Sequence, residues 1–254
     1  MLSVTPTKLS DYLVCPQKYK FRHINKTETA ATSPALSFGQ AMHSALQVIH
    51  RSDEDLRDLT GVSRILNRYW EADAYSDEEE SEAYFSKGCR SLHAYCKNFD
   101  FRENKTLGTE VYLSYILKVE NLKIRLGCKA DRISVCADGT LEIVDYKTNG
   151  SGKVPTPEYL RNDLPAFLYY VLARLSYPQY KQIRVTFLNI MTLAKVSVEY
   201  DGAQVASNKQ ALLKCLRSLA GEDLPPKPSE ACSWCSFQDE CPARNKIVDF
   251  ASIF

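Results

Sequence analysis

The fold of this chain is decided by one stretch, LEIVDYK at residues 141–147, in which an apolar run ends in an Asp-x-Lys tripeptide. The apolar part predicts a β-strand that ends where a loop begins. The preceding predicted strand carries Asp131, fourteen residues before Asp145. Neighbouring strands of a meander can bring both carboxylates to one end of a sheet, with Lys147 beside them. Two oxygen ligands at such a point suit Mg²⁺ or Mn²⁺.

Two further strands are predicted upstream of this stretch. Apolar residues recur at every second position at Val111, Leu113, Tyr115 and Leu117, and again at Ile124 and Leu126. The Asp138-Gly139 pair predicts a tight turn before the stretch 141–147. The three predicted strands therefore form an antiparallel meander.

Helices and more strands flank the meander. Apolar residues recur at three and four over Ser37–His50, which predicts an amphipathic helix that carries His43. The other predicted elements are a helix over Thr7–His23 with Thr7 as its cap and an interruption at Cys15-Pro16, helices over 55–75 and 79–98, a loop over Thr148–Pro157, a helix over Glu158–Leu175, strands over Ile183–Ile190 and Val196–Tyr200, and a helix over Ala203–Leu219. This order predicts an α/β fold with a central mixed sheet flanked by helices.

The composition is that of a globular protein with one domain, since 44% of the 254 residues are apolar and 25% are charged. No apolar run approaches the roughly 18 to 20 residues of a membrane span, and no secretory signal is evident, so we expect a cytoplasmic protein without a membrane partner. The absence of a GxxxxGK[ST] motif argues against an ATPase motor.

The formal net charge of +1 means that a nucleic-acid partner would need local basic patches. The N-terminal segment supplies one such patch with Lys8, Lys18, Lys20, Arg22 and Lys26. The acidic run at 77–82 is predicted to be solvated surface.

Phosphodiester hydrolysis needs the groups that this sequence places around the stretch 141–147. A metal activates the attacking water and offsets the charge on the phosphate. Lys147 can position the water or neutralise that charge, and His43 could add a nitrogen ligand that favours Mn²⁺. Each residue also has an ordinary interpretation: a surface Asp-x-Lys, a structural histidine, or an ion pair of Asp131 with Arg132.

These motifs resemble those of RecB-family PD-(D/E)XK nucleases. The resemblance lies in His43, in Asp131 within 127–133, and in IVDYKT at 143–148. It implies a PD-(D/E)XK nuclease core in which His43, Asp131 and Asp145 bind metal, Lys147 is catalytic and the backbone carbonyl of Tyr146 is a further ligand. The sequence departs from the family pattern at two points: Gly127 stands four residues before Asp131 instead of three, and Pro165 replaces the usual glutamine of a Q-x-x-x-Y motif.

Two more residues are candidates for the border of the site. Tyr169, the tyrosine of that altered motif, could contact DNA, but an aromatic helix can equally bury it in the core. Glu110 stands at the beginning of the first meander strand, where relatives often carry a glutamate.

The cysteines predict a second metal centre. Cys232, Cys235 and Cys241 form a C-x2-C-x5-C array that needs a fourth ligand, for which Cys15 is the best candidate. This arrangement is similar to the iron-sulfur staple of AddB-type nucleases and of CRISPR-associated RecB-like exonucleases, and the resemblance implies a 4Fe-4S cluster. Four thiolates also fit Zn²⁺, which stays an alternative. Trp234 is expected to shield the centre, and the remaining cysteines are expected to be small buried hydrophobic residues.

The expected protein is a single nuclease domain over residues 1–254, with a helical insert at roughly 55–100 and a cysteine region at 224–254 joined to Cys15. The resemblance implies a Mg²⁺- or Mn²⁺-dependent exonuclease acting on single-stranded DNA, from 5′ ends, in DNA repair and recombination or in CRISPR adaptation. A helicase or CRISPR integration proteins are the expected partners, and the basic N-terminal segment is expected to grip the DNA. The alternative is a non-catalytic nucleic-acid-binding or scaffold protein with a structural metal cluster.

Overall fold

The computed structural model describes residues 1–27, 33–52, 56–100, 104–149, 155–221 and 223–244. Its strands are β1 (Leu2–Val4), β2 (Lys105–Val119), β3 (Leu122–Val135), β4 (Leu141–Lys147), β5 (Ile183–Asn189) and β6 (Lys195–Glu199). Its α-helices are α1 (Pro6–Val14), α2 (Pro16–Tyr19), α3 (Pro34–Ile49), α4 (Leu59–Asn67), α5 (Glu78–Asn98), α6 (Pro157–Asn162), α7 (Leu164–Ser176) and α8 (Gly202–Leu219). A π-helix at Lys20–Asn25 and 3₁₀ turns at Ala72–Ala74 and Glu230–Trp234 also occur.

One six-stranded mixed sheet organises the chain, with β3 at its centre. Strand β2 pairs with β3 antiparallel along its length, as far as Val119 opposite Leu122. On the other edge of β3, β1 pairs parallel with residues 124–126 and β4 pairs antiparallel with residues 132–135. Strands β5 and β6 extend the sheet beyond β4. On this edge of β3, residues 127–131 have no strand partner among the described residues, because they lie between the segment paired with β1 and the segment paired with β4. Asp131 is the last residue of this unpaired segment.

One face of the sheet is covered by α7 together with α1 and α8. Leu9 of α1, Leu168 of α7 and Leu216 of α8 are buried in one core with residues of β3 such as Leu126. Because burying a leucine side chain contributes about 1.5–3 kcal/mol, this layer fixes the meander against the helices.

The opposite face is covered by α3, α4 and α5 over β4 and β5. Met42 of α3, Leu66 of α4 and Leu92 of α5 are buried there with Val144 and Tyr146 of β4. The helices predicted over Ser37–His50 and 79–98 thus form the layer that carries His43 toward the sheet.

Short polar side chains begin most of these helices by accepting a hydrogen bond from a backbone N–H of the first turn. These caps are Thr5, Ser33, Asp58, Asp77, Thr156, Asp163 and Asp201. The prediction of Thr7 as the first cap is wrong, because Thr5 caps α1 and Pro6 follows it, where a missing N–H costs no helix bond.

Three predicted elements have different boundaries in the structure. The helix over Thr7–His23 has its predicted interruption at Cys15, whose extended backbone separates α1 from α2, but it begins at Pro6 and ends as a π-helix. The helix over Glu158–Leu175 is divided at Asp163, which ends α6 and caps α7. Within the helix predicted over 55–75, α4 covers only Leu59–Asn67, and residue 55 lies outside the described residues. Strand β1 was not predicted.

The predicted fold class is confirmed: the protein is α/β, with a central mixed sheet flanked by helices, and β2, β3 and β4 form the expected antiparallel meander. Half of the loop predicted over Thr148–Pro157 falls on residues 150–154, which are not described. The division into one domain with a helical insert and a cysteine region stays a prediction, and residues 245–254 of that last region are not described either.

Candidate active site

Asp131 lies where β3 loses its regular alternation. Ala130 and Ile133 are three residues apart, yet both are buried in the core that contains α7. Regular alternation would place them on opposite faces, so β3 is irregular between them. On β2, Glu110 has a φ of 55°, which is uncommon for a residue other than glycine, and it is skipped in the register of β2 with β3. Both acidic residues therefore leave the regular ladder at the same point.

The carboxylate of Asp131 connects three elements of the fold. Its Oδ2 accepts a hydrogen bond of 2.6 Å from the backbone N–H of Tyr146 in β4. Its Oδ1 lies 3.2 Å from Nδ1 of His43 in α3. Burial lowers the pKa of His43, but the hydrogen bond and charge of Asp131, with the charges of Asp145 and Glu110, outweigh burial and raise it. The imidazole is therefore held in a strongly negative environment.

Asp145 and Lys147 form an ion pair at the end of β4. The Nζ of Lys147 donates a hydrogen bond of 2.9 Å to Oδ2 of Asp145 and lies 5.3 Å from the centre of the Phe187 ring. Burial raises the pKa of Asp145, while Lys147 opposes this effect and the charge of Asp131 reinforces it. The ammonium group is thus fixed next to the carboxylates at the end of the sheet.

Three side chains bring potential metal ligands together most closely. His43, Glu110 and Asp131 each offer one ligand atom, and these atoms all lie within 4.8 Å of one another. The sequence predicts Glu110 only at the border of the site, whereas the structure brings it into this group. Asp145 lies beside the group, and a role for the backbone carbonyl of Tyr146 stays a prediction. An imidazole nitrogen with carboxylate oxygens suits Mn²⁺ or Mg²⁺.

A cavity of about 730 Å³ opens over these side chains. Among its lining residues, Tyr84 and Lys87 come from α5, and Lys129 comes from β3. Lys129 forms an ion pair with Glu110. Lys129 was not predicted as a site residue. Its position two residues before Asp131 would nevertheless place the two side chains on the same side of a regular strand. Lys87 was not predicted either, and only the packing of α5 on the sheet gives a reason for its position.

Tyr169 in α7 has the buried position that one of the two interpretations of the sequence expects, and its contact with DNA stays a prediction. Its ring is only 8% exposed and belongs to the core on the α7 face of the sheet. Its hydroxyl is a hydrogen-bond partner of Asp145, and burial together with the charges of Asp145 and Asp131 raises the pKa of Tyr169 well above its ordinary value. Tyr169 therefore lies between the core on the α7 face and the carboxylate of Asp145.

The four cysteines predicted to form a metal centre line one cavity of about 790 Å³. They are Cys15, at the start of α2, and Cys232, Cys235 and Cys241 near the other end of the described chain. The backbone N–H of Lys227 donates to Sγ of Cys15 at 3.3 Å, and that of Ser229 donates to Sγ of Cys232 at 3.4 Å. Residues more than two hundred positions apart in sequence are thus neighbours around one cavity.

The other cysteines follow their prediction in part. Cys89, Cys128 and Cys215 are buried, whereas Cys96 and Cys136 are only half-buried. Cys136 follows β3 next to a turn, and Cys96 lies in the last turn of α5, so neither position is fully enclosed. Trp234 lines the cysteine cavity but is 71% exposed, so it covers the four sulfurs incompletely.

The basic N-terminal segment is organised around one buried carboxylate. Lys18 lies 2.9 Å, Arg22 3.0 Å and His23 2.8 Å from the carboxylate oxygens of Asp11. Two of the five cations that make this segment basic, Lys18 and Arg22, are therefore engaged in holding the segment to α1.

Comparisons with known proteins agree with this geometry. The sequence profile of the PD-(D/E)XK nuclease superfamily matches residues 3–242. The crystal structure of a "putative exonuclease" from Eubacterium rectale superposes with a TM-score of 0.53 at 13% sequence identity, covering 92% of this chain and 86% of that one, which shows a shared fold. The crystal structure of a protein called SSO0001 covers 94% of this chain and 93% of its own at 12% identity, but its TM-score of 0.40 supports no argument. A search of curated proteins finds no significant match.

Across the described residues, none of the helices has both the length and the apolar character needed to cross a membrane.

Proposed function

Because the chain belongs to the PD-(D/E)XK nuclease superfamily, we propose that it is a metal-dependent deoxyribonuclease that removes nucleotides from the ends of single-stranded DNA. The observation that carries the proposal is the grouping of His43, Glu110 and Asp131 beside the ion pair of Asp145 and Lys147, in one cavity. The similarity in fold to a "putative exonuclease" supports the choice of chain ends over internal sites. Digestion from 5′ ends follows from the resemblance of the motifs alone.

The residues that would hold the divalent cation are His43, Asp131 and Asp145, with Glu110 and the backbone carbonyl of Tyr146 as further ligands. This donor set fits Mg²⁺, which prefers oxygen, and the imidazole favours Mn²⁺. The cation would lower the pKa of a bound water and offset negative charge on the phosphate. The contact of 3.2 Å between His43 and Asp131 orients the imidazole for this role.

Lys147 is the proposed catalytic cation of the chain itself. Its ammonium orients the attacking water or neutralises the charge that develops on the phosphate. Asp145 holds that ammonium at 2.9 Å, so it needs little rearrangement when the charge develops. The hydroxyl of Tyr169 is a hydrogen-bond partner of Asp145, so Tyr169 acts as a positioning residue.

The test is digestion of single-stranded DNA labelled at its 5′ or 3′ end, with Mn²⁺, with Mg²⁺ and with a chelator. We expect metal-dependent release of short products that Asp131→Asn and Asp145→Asn abolish. Asp138→Asn is the matched control, because Asp138 lies at the turn of the same meander and its side chain is 54% exposed. The label that is released first gives the polarity.

The second candidate, a non-catalytic nucleic-acid-binding or scaffold protein, predicts a different result of the same experiment. Such a protein would bind the DNA without cutting it under any metal condition, and the two aspartate variants would behave as the unmodified protein does. Cleavage that survives both variants would contradict the proposed site.

For the four cysteines, we propose a 4Fe-4S cluster that joins the N-terminal helices to the C-terminal region. Hydrogen bonds from backbone N–H groups to sulfur, as at Cys15 and Cys232, are typical of such centres. Four thiolates fit zinc as well, so the preference for the cluster follows from the resemblance of the cysteine arrangement alone.

Metal analysis of anaerobically purified protein tests the cluster. Iron and acid-labile sulfide in equal amounts, lost in Cys15→Ser but retained in the half-buried control Cys136→Ser, would support it. Stoichiometric zinc without iron would favour the alternative.

The proposed setting is the cytoplasm, in DNA repair and recombination beside a helicase or in CRISPR adaptation beside integration proteins. The resemblance of the cysteine arrangement to nucleases of both settings is its support. Co-purification of one set of partners from the native host would distinguish the two.

A further inference from the structure

Among the residues that the structure describes, no helix covers one face of the hairpin formed by β2 and β3. Ile124, Leu126 and Cys128 of β3 are buried in the core that contains α7, so the residues between them point to the opposite face. The core formed by α3, α4 and α5 on that side includes residues of β4 and β5 but, as far as the described residues go, none of β2 or β3. Tyr112 and Ile116 of β2 are accordingly 62% and 55% exposed.

Cations accompany these two exposed side chains. In the register of the hairpin, Tyr112 lies opposite Lys129, Ile116 lies opposite Arg125, and Lys118 lies opposite Lys123. All four cations are exposed. We call this set of six residues the hairpin track.

The carboxylates near the two ends of the hairpin already have partners. Glu110 pairs with Lys129, and Glu120 at the turn pairs at 2.7 Å with Arg217 of α8. Among the residues that the structure describes, Lys118, Lys123 and Arg125 take part in no ion pair. The hairpin track therefore carries an unbalanced positive charge in a chain whose net charge is only +1.

The cross-strand pair of Lys118 and Lys123 is unfavourable for folding. Like charges directly opposite each other in an antiparallel pair repel and destabilise the hairpin. A bound polyanion would remove this repulsion. The pairing thus points to a ligand with several negative charges.

Tyr112 gives the hairpin track a surface for stacking. A Cβ atom at Gly127 would lie 2.9 Å from the hydroxyl oxygen of Tyr112 and 3.4 Å from its Cζ. The Tyr112 ring therefore packs on the backbone of Gly127, and most of the surface of Tyr112 is exposed. An aromatic ring in a basic groove is the usual platform for an unpaired base.

The hairpin track is continuous with the active-site cavity. Lys129 belongs to both, and Asp131 follows two residues later in β3. From Lys129 to Lys123 the track extends roughly 20 Å, at about 3.3 Å per residue. Its width is that of two β-strands, about 5 Å apart, which suits one nucleic-acid strand better than a duplex.

We propose that the hairpin track binds a single-stranded nucleic acid and leads it to the active-site cavity, with its phosphates on the cations and a base stacked on Tyr112. This inference rests on the proposed nuclease function, because it supplies the substrate path to the same cavity. It assigns the DNA contact to the hairpin and not to the N-terminal segment, where two of the five cations, Lys18 and Arg22, are paired with Asp11.

The test compares two triple variants that lose the same charge. Lys118→Gln/Lys123→Gln/Arg125→Gln removes cations from the track, and Lys181→Gln/Lys209→Gln/Lys214→Gln removes exposed cations elsewhere. Binding of a fluorescent single-stranded oligonucleotide is measured by anisotropy in chelator over a range of salt. Each phosphate contact contributes about 0.7 to the slope of log K against log salt, so the track variant should lose about 2 from the slope and at least roughly tenfold in affinity.

A structural role would give a different pattern. Because the track variant removes the repulsion between Lys118 and Lys123, its melting temperature should equal or exceed that of the unmodified protein while binding falls. Tyr112→Ser should weaken binding on the order of tenfold, and Tyr112→Phe, which keeps the ring, should restore it. Equal loss of binding in the control triple variant, or unchanged binding in the track variant, would overturn the proposal.

Hydrolysis of bis(p-nitrophenyl) phosphate by the unmodified protein separates this proposal from the proposed function, because that diester is too small to reach the track. Hydrolysis with metal, together with unchanged DNA binding by the track variant, would overturn the track and leave the nuclease. Absence of hydrolysis, together with loss of DNA binding by the track variant, would overturn the nuclease and leave the track.

Discussion

The buried ion pair of Arg132 and Glu142 next to the site should respond unequally to the loss of its two partners. Both residues are 2% exposed, and Nη2 of Arg132 lies 3.4 Å from Oε2 of Glu142. Glu142 has two further partners, the Thr186 hydroxyl at 2.8 Å and the Lys195 ammonium at 2.9 Å. The Nε and Nη1 atoms of Arg132 have no hydrogen-bond partner in the described part of the chain.

The magnitudes follow from this asymmetry. In Glu142→Leu the buried guanidinium loses its carboxylate partner and keeps the face of Phe99, 4.4 Å away, and its interaction with Tyr146. Removing one partner of a buried pair in this way costs about 3–5 kcal/mol. In Arg132→Met, Glu142 retains Thr186 and Lys195, so we expect a loss of only about 1–2 kcal/mol. The double variant replaces the pair by apolar groups and should be more stable than Glu142→Leu alone.

The assay is urea unfolding of the three variants and the unmodified protein, combined as a double-mutant cycle. We expect the free energy of unfolding of the double variant to be higher than that of Glu142→Leu alone. A larger loss for Arg132→Met than for Glu142→Leu, or a double variant as unstable as the sum of the single ones, would refute it.

Three further predictions concern other parts of the fold. Burial raises the pKa of Asp11, but Lys18 and His23 outweigh burial and lower it; the folded protein should therefore lose stability as pH falls below about 4, and urea midpoints at pH 5 and pH 3 should differ less in Asp11→Asn. Gly88→Ala should destabilise by about 1–3 kcal/mol, because its Cβ would lie 2.9 Å from Leu66; a higher melting temperature would contradict the packing. Tyr169→Phe should lower the rate of DNA cleavage while the free energy of unfolding changes by only about 1 kcal/mol, since the ring stays in the core. An unchanged rate of cleavage would show that Tyr169 has no role in the site.

The sheet could be predicted from the sequence because its alternation is regular on both sides of the site. Each of the three strands contributes apolar residues of its predicted run to the same core, for example Leu113 of β2, Ile124 of β3 and Ile143 of β4. The antiparallel order of β2, β3 and β4 follows from the short connections between them. Strand β1 could not be predicted, because three residues form a strand there only through pairing with β3.

A proline marks the break in each of the two interrupted helices. Pro16 and Pro165 each stand near the first position of a new helix, where proline is favourable, and not inside an existing one. The sequence therefore predicts the break at Cys15-Pro16, whereas the apolar period joins α6 to α7 in a single predicted helix.

The candidate site could be predicted only in part. Asp131, Asp145 and Lys147 lie on neighbouring strands, so the sequence was sufficient to bring them together. The position of Glu110 depends on its left-handed backbone, and the approach of Lys87 depends on how α5 packs, and neither leaves a pattern in the sequence. The hairpin track appears only when the register places Lys118 opposite Lys123.

The most direct test of the central claim is the rate of metal-dependent cleavage of single-stranded DNA by Lys147→Met, measured beside the exposed control Lys209→Met. We expect a loss in kcat on the order of 10²–10³ for Lys147→Met and none for the control. The fold should be unaffected, because the Lys147 side chain is 44% exposed and such ion pairs contribute about 0–1 kcal/mol. If folded Lys147→Met cleaved DNA at the rate of the unmodified protein, Lys147 would not be the catalytic cation and the chemistry would take place elsewhere.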